Sequence, residues 1–106
     1  MRPKVKFCGM TRREDIEAAE KLQVDFVGFV FVPSSSRSIV LDSARNLRST
    51  VVNAKAVGVF TDNPLEEIER HIAELQLDFI QLHGEPDIRR VQKLPIQVIQ
   101  AFRGVP

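Results

Sequence analysis

Cysteine is nearly absent from this 106-residue chain, and a single one, Cys8, excludes an internal disulfide. A lone thiol suits a reducing compartment. Charge imbalance is also lacking. With 15 Lys and Arg against 14 Asp and Glu, the net charge of +1 gives no electrostatic footprint for nucleic acid or a membrane surface. No apolar run approaches the length that spans a bilayer. The first residues show neither the apolar segment nor the cleavage pattern of a secretory signal, so a soluble, cytoplasmic chain is expected. Paired cysteines and His-x-x-x-His spacing are missing, so no metal is expected. Gly-x-Gly-x-x-Gly and the P-loop pattern are missing too. What the chain does have is 43% apolar residues in a length suited to one small domain, residues 1–106.

Those apolar residues come in short runs separated by helical periodicity. Strands are expected at Val5 to Cys8, Phe26 to Val32, Lys55 to Phe60, Asp78 to His83 and Ile96 to Phe102. The second run is apolar on both faces, the mark of a parallel strand covered by helices. Helices are expected from Glu14 to Leu22, after Asp42, after Asn63-Pro64, and from Pro86 to Leu94. Their starts carry capping signals: Thr11-x-x-Glu14, Asp42, and Asn63 with Glu66 three residues on. On the third helix Leu65, Ile68, Ile72 and Leu75 form the apolar stripe, which leaves His71 as a surface residue. Five strands alternating with four helices give an α/β fold of parallel βαβ units. Gln23-Val24-Asp25-Phe26-Val27 echoes Gln76-Leu77-Asp78-Phe79-Ile80 two units later, a spacing that a (β/α)8 barrel favours. Pattern alone also allows an open doubly wound sheet.

In either architecture ligands bind at the carboxyl ends of the strands. Those ends hold Cys8, the Arg37 loop, Thr61-Asp62, His83 and Arg103. Lys6 and Cys8 share one face of the first strand, and Gln81 and His83 share one face of the fourth. Gly9 permits a tight turn or a close ligand approach, and the helix start beyond it favours an anion such as a thiolate. Ser34-Ser35-Ser36-Arg37-Ser38 offers hydroxyls around a guanidinium, suited to a carboxylate or phosphate. Each residue also has a plainer reading. Cys8 could be an ordinary buried apolar residue, His83 a histidine bonded to backbone, and the serine loop a solvated linker.

Taken together, four segments resemble phosphoribosylanthranilate isomerase, a (β/α)8-barrel enzyme of tryptophan biosynthesis. They are Lys6-Phe7-Cys8-Gly9-Met10-Thr11, Gly28-Phe29-Val30-Phe31 with Pro33 and Ser36-Arg37, Val57-Gly58-Val59-Phe60, and Gln81-Leu82-His83-Gly84-Glu85. The resemblance implies an Amadori rearrangement of N-(5'-phosphoribosyl)anthranilate to 1-(o-carboxyphenylamino)-1-deoxyribulose 5-phosphate, an aldose–ketose isomerisation without a cofactor. It implies Cys8 as the general base at ribose C2 and Arg37 on the anthranilate carboxylate. Lys6, Gly9, Gln81 and His83 complete the implied substrate-binding set. Val32 before Pro33, where an aromatic residue is common, is a minor departure.

Length is the larger departure. A (β/α)8 barrel needs about 200 residues or more. The family's general acid lies at the end of strand six, and its phosphate loops follow strands seven and eight. Neither Asp62 nor Asp87 occupies the acid's place. The expectation is therefore the amino-terminal part of such an enzyme, lacking strands six to eight and inactive alone. Its open sheet edges should promote self-association. Two alternatives stand beside it: a non-catalytic half-barrel module pairing with itself or another chain, and another phosphosugar barrel enzyme.

Overall fold

The structure, a computed structural model, describes residues 4–83, 89 and 91–100. Its elements are β1 (Lys6–Cys8), α1 (Arg13–Lys21), β2 (Phe26–Val30), α2 (Leu41–Arg48), β3 (Lys55–Phe60), α3 (Leu65–Leu75), β4 (Phe79–Leu82) and β5 (Gln97–Gln100). All neighbouring strands pair in parallel, in the order β1-β2-β3-β4-β5. A doubly wound sheet reverses its winding at a switch point, and this order has no reversal. Successive right-handed crossovers instead place the helices on one side of the sheet, as in a barrel wall.

The two faces have separate cores. Ile16 and Ala19 of α1, Ala44 of α2, and Ile68 and Leu75 of α3 pack against Val27, Phe29, Ala56, Phe60, Ile80 and Leu82 of the sheet. On the opposite face Val30, Val32 and Val59 cluster with Cys8. Strand alternation accounts for the division: in the register, Cys8 pairs with Gly28 and Val30 with Val59, all on the helix-free face.

The repeated Gln-x-Asp-Phe segments have matching geometry. Gln23 and Gln76 both take positive φ, 58° and 49°, where α1 and α3 end. Val24 N–H then reaches back to Ala19 O at 3.3 Å, and Leu77 N–H to Ile72 O at 3.2 Å, closing both helices in the same way. The Asp25 carboxylate accepts from Val5 N–H at 2.7 Å and that of Asp78 from Ala56 N–H at 2.8 Å. Each aspartate thus ties the start of one strand to its neighbour.

Three expected caps are not formed. The cap of α1 is Arg12 rather than Thr11, and the Arg12 guanidinium pairs with Asp15 at 3.0 Å. The cap of α2 is Val40, with Asp42 inside the first turn bonded to Arg45. The cap of α3 is Pro64. Asn63, buried, instead donates through Nδ2 to Phe31 O and to Glu67, and accepts from Thr61 N–H. It links the exit of β2 to the start of α3.

His71 is also corrected. It is 7% exposed, its ring edge packs on Phe31 with centroids 4.5 Å apart, and Nδ1 donates to Glu67 O at 2.7 Å. Of the expected fourth helix, residues 86–88 and 90 lie outside the described residues. Its described stretch at 91–93 runs in turns, although Val91 and Leu94 are buried as expected. Phe102 and Arg103 also lie outside the described residues.

Candidate active site

At the carboxyl ends of the strands, a cleft of about 380 Å3 is lined by Cys8, Arg37, Gln81, His83, Ser34, Ser35 and Ser36 over a floor of Val30, Val32 and Val59. The thiol, guanidinium, amide and imidazole expected from separate stretches of sequence therefore meet in one place. Thr61 and Asp62 do not line it.

Local folding explains the gathering. Beyond β2 the chain turns back on itself. Ile39 N–H bonds to Val30 O at 3.0 Å, and Ser38 bridges to Val30 in parallel fashion. Within the turn Ser35 N–H bonds to Val32 O, and the Ser35 hydroxyl accepts from Arg37 N–H at 3.1 Å. The serine segment is thus a folded turn that carries Arg37 over the strand ends, not a solvated linker. His83 N–H bonds to Phe60 O at 2.7 Å, which fixes the exit of β4 against β3.

Two glycines supply the necessary space. Gly9 has φ of +79°, and its backbone N–H donates to Gly28 O at 3.0 Å. A Cβ there would stand 2.4 Å from Arg37 Cδ, so the arginine stem occupies the room a side chain would take. At Gly28 a Cβ would stand 3.1 Å from Cys8 Sγ and 3.3 Å from Lys6 Cε. Gly9 and Lys6 do not line the cleft; they lie behind Arg37 and Cys8 respectively. The Lys6 ammonium donates to Gln81 Oε1 across two intervening strands. Burial pushes Lys6 below its ordinary range, while the charge of Cys8 and a hydrogen bond to it act in the opposite direction.

The structural role of Gly28 went unread in the sequence, as did the valine floor. A glycine interrupting an otherwise apolar strand was the available signal, since such a glycine marks a close approach.

A larger cleft of about 710 Å3 opens at the amino ends of the strands, between Lys4, Asp25, Phe26, Asn53, Lys55 and Phe79. Both of its acids serve the backbone. Asp25 accepts from Val5 N–H, and Glu20 accepts from the N–H groups of Val52, Asn53 and Ala54. Chemistry, rather than volume, selects the carboxyl-end cleft.

Residues 5–104 match the profile of the family described as N-(5'phosphoribosyl)anthranilate (PRA) isomerase. The chain belongs to the phosphoribosylanthranilate isomerase family. The N-(5'-phosphoribosyl)anthranilate isomerase of Oceanobacillus iheyensis is 40% identical over 101 residues, covering 92% of this chain and 48% of that protein. A phosphoribosyl anthranilate isomerase crystallised with reduced 1-(o-carboxyphenylamino)-1-deoxyribulose 5-phosphate superposes with a TM-score of 0.87 at 36% identity, over 93% of this chain and 53% of that one. Monomers generated from the dimeric Thermotoga maritima isomerase give 0.85 at 36% identity, over 93% and 52%. The chain spans about half the length of these family members. Its five parallel strands and three described helices form part of a TIM barrel.

Proposed function

We propose that residues 1–106 form the amino-terminal part of a phosphoribosylanthranilate isomerase and carry the proton-abstracting and anthranilate-binding half of its active site. The observation that carries this reading is the shared cleft of Cys8 and Arg37 over a valine floor. An aromatic ring fits an apolar floor, and a planar guanidinium at its rim matches a carboxylate through two parallel hydrogen bonds. Cys8, as thiolate, takes the proton from ribose C2. Gln81 and His83 border the sugar, and Gly9 contributes by seating Arg37.

The general acid and the phosphate site come from strands beyond β5. Each general acid or base is worth about 10²–10⁴-fold in rate, so this chain by itself turns over near background. In the described sheet β1 and β5 are edges with unpaired backbone groups. They pair with the remaining strands of the barrel, or with other copies when those strands are missing. Among the described residues no helix is long and apolar enough to cross a membrane. With its free thiol, we place the protein in the cytoplasm.

The test is conversion of N-(5'-phosphoribosyl)anthranilate by the chain, alone and mixed with the separately produced carboxyl-terminal half of a relative. Turnover should appear only in the mixture. A mixture that assembles yet remains at background would overturn the reading.

A further inference from the structure

Lys6 is an ammonium on the helix-free face of the sheet, half-buried, and it does not line the cleft. Three observations place it. It stands two residues before Cys8 on the same strand face, so both side chains rise side by side. Its Cε and the Cys8 sulfur converge on one point, the space left by the missing side chain of Gly28. Its ammonium donates to Gln81 Oε1, on β4. The gap at Gly28 lets a β1 lysine lie beside the sulfur, and the β4 amide aims it.

Among the described residues, the charged or titratable groups around the sulfur are Lys6 from β1, Arg37 from the loop after β2, and His83 at the exit of β4. None of the described residues lining the cleft is an acid. In the isomerase reading Arg37 is neutralised by the substrate carboxylate as the site fills. Lys6 does not line the cleft and lies beside the sulfur instead.

We propose that Lys6 is a positioning residue, the counter-ion that holds Cys8 as a thiolate, with Gln81 fixing its direction; this rests on the reading of Cys8 as the base. An opposite charge at close range favours the ionised form of its neighbour, and lysine beside cysteine favours thiolate.

Cys8 is the single cysteine of the sequence, so alkylation by iodoacetamide, followed by intact mass, reports on it alone. The rate is measured against pH for the 106-residue chain and for Lys6→Met, Lys6→Gln and Lys6→Arg, with circular dichroism to verify folding. In the Met and Gln variants the pH of half-maximal alkylation should rise by about one unit or more, the lower end of shifts caused by adjacent charges. Lys6→Arg should stay close to the parent profile. An unchanged profile in a folded Met or Gln variant overturns the proposal. So does a Lys6→Arg profile displaced as far as the neutral variants.

No substrate is needed for this readout. A displaced profile without turnover in the mixed halves refutes only the isomerase reading. Turnover with an unmoved profile refutes only the role of Lys6.

Discussion

Arg37 rests on Gly9: the arginine Cδ lies 2.4 Å from the point where a Gly9 Cβ would stand, and Gly9 holds φ of +79°. The first prediction concerns this pair. Gly9→Ala must strain a left-handed backbone and push the Arg37 stem aside. It should destabilise the fold by about 1–2 kcal/mol, the usual cost of that conformation for an L side chain. Urea denaturation checks the stability. Weaker anthranilate binding by calorimetry would report the displaced guanidinium.

Arg48 carries the second. From α2 its guanidinium donates to Leu75 O at 2.7 Å and Gln76 O at 3.3 Å, carbonyls left open where α3 ends, and to Val51 O at 3.0 Å just past its own helix. Hydrogen bonds from a charged donor contribute about 1.5–3 kcal/mol, more than an exposed ion pair. Arg48→Ala should therefore cost about 2–3 kcal/mol in a denaturant titration. Arg12→Ala, which breaks an exposed pair with Asp15, should change stability by less than about 1 kcal/mol.

Glu20 gives a pH dependence. Burial acts to raise its carboxyl, but N–H donors from Val52, Asn53 and Ala54 outweigh it and hold the group below its ordinary 4.5. With the folded value lower than the unfolded one, its stabilisation is present above pH 4.5 and is lost as pH falls through the folded value. Thermal melts of Glu20→Gln should lose less stability over that acid range than melts of the parent. Identical acid limbs would contradict it.

His71 separates two placements. A surface histidine replaced by alanine changes stability by about 0.5 kcal/mol or less. The ring packed edge-on against the stacked Phe31 and Phe60 should instead cost about 2–4 kcal/mol, as for other large-to-small core changes.

That residue also shows where sequence reasoning stops. The strands were legible because apolar runs such as Lys55 to Phe60 leave no other local choice, and β3 has those bounds. Cys8, Gln81 and His83 were legible through strand alternation, which fixes a face without needing coordinates, and Arg37 through the serine loop that carries it. His71 was misread because the stripe was drawn through Leu65, which is 37% exposed, instead of turning with Ile68, His71 and Leu75, which are buried. The caps failed for another reason. Asn63 has the chemistry of a cap, but Phe31 O, 32 residues away, claims its amide. A contact that distant leaves no trace in local spacing. Sheet order was equally hidden, and only the pairing of β1 to β5 in sequence excludes the doubly wound alternative.

The most direct test is steady-state kinetics on the chain paired with a carboxyl-terminal half, comparing Cys8→Ala with Arg37→Ala. Removing the base should lower kcat by about 10²–10⁴-fold with KM little changed. Removing the guanidinium should act mainly on KM. A Cys8→Ala pairing that isomerises N-(5'-phosphoribosyl)anthranilate at the parental rate would show that the thiol in the cleft is not the base.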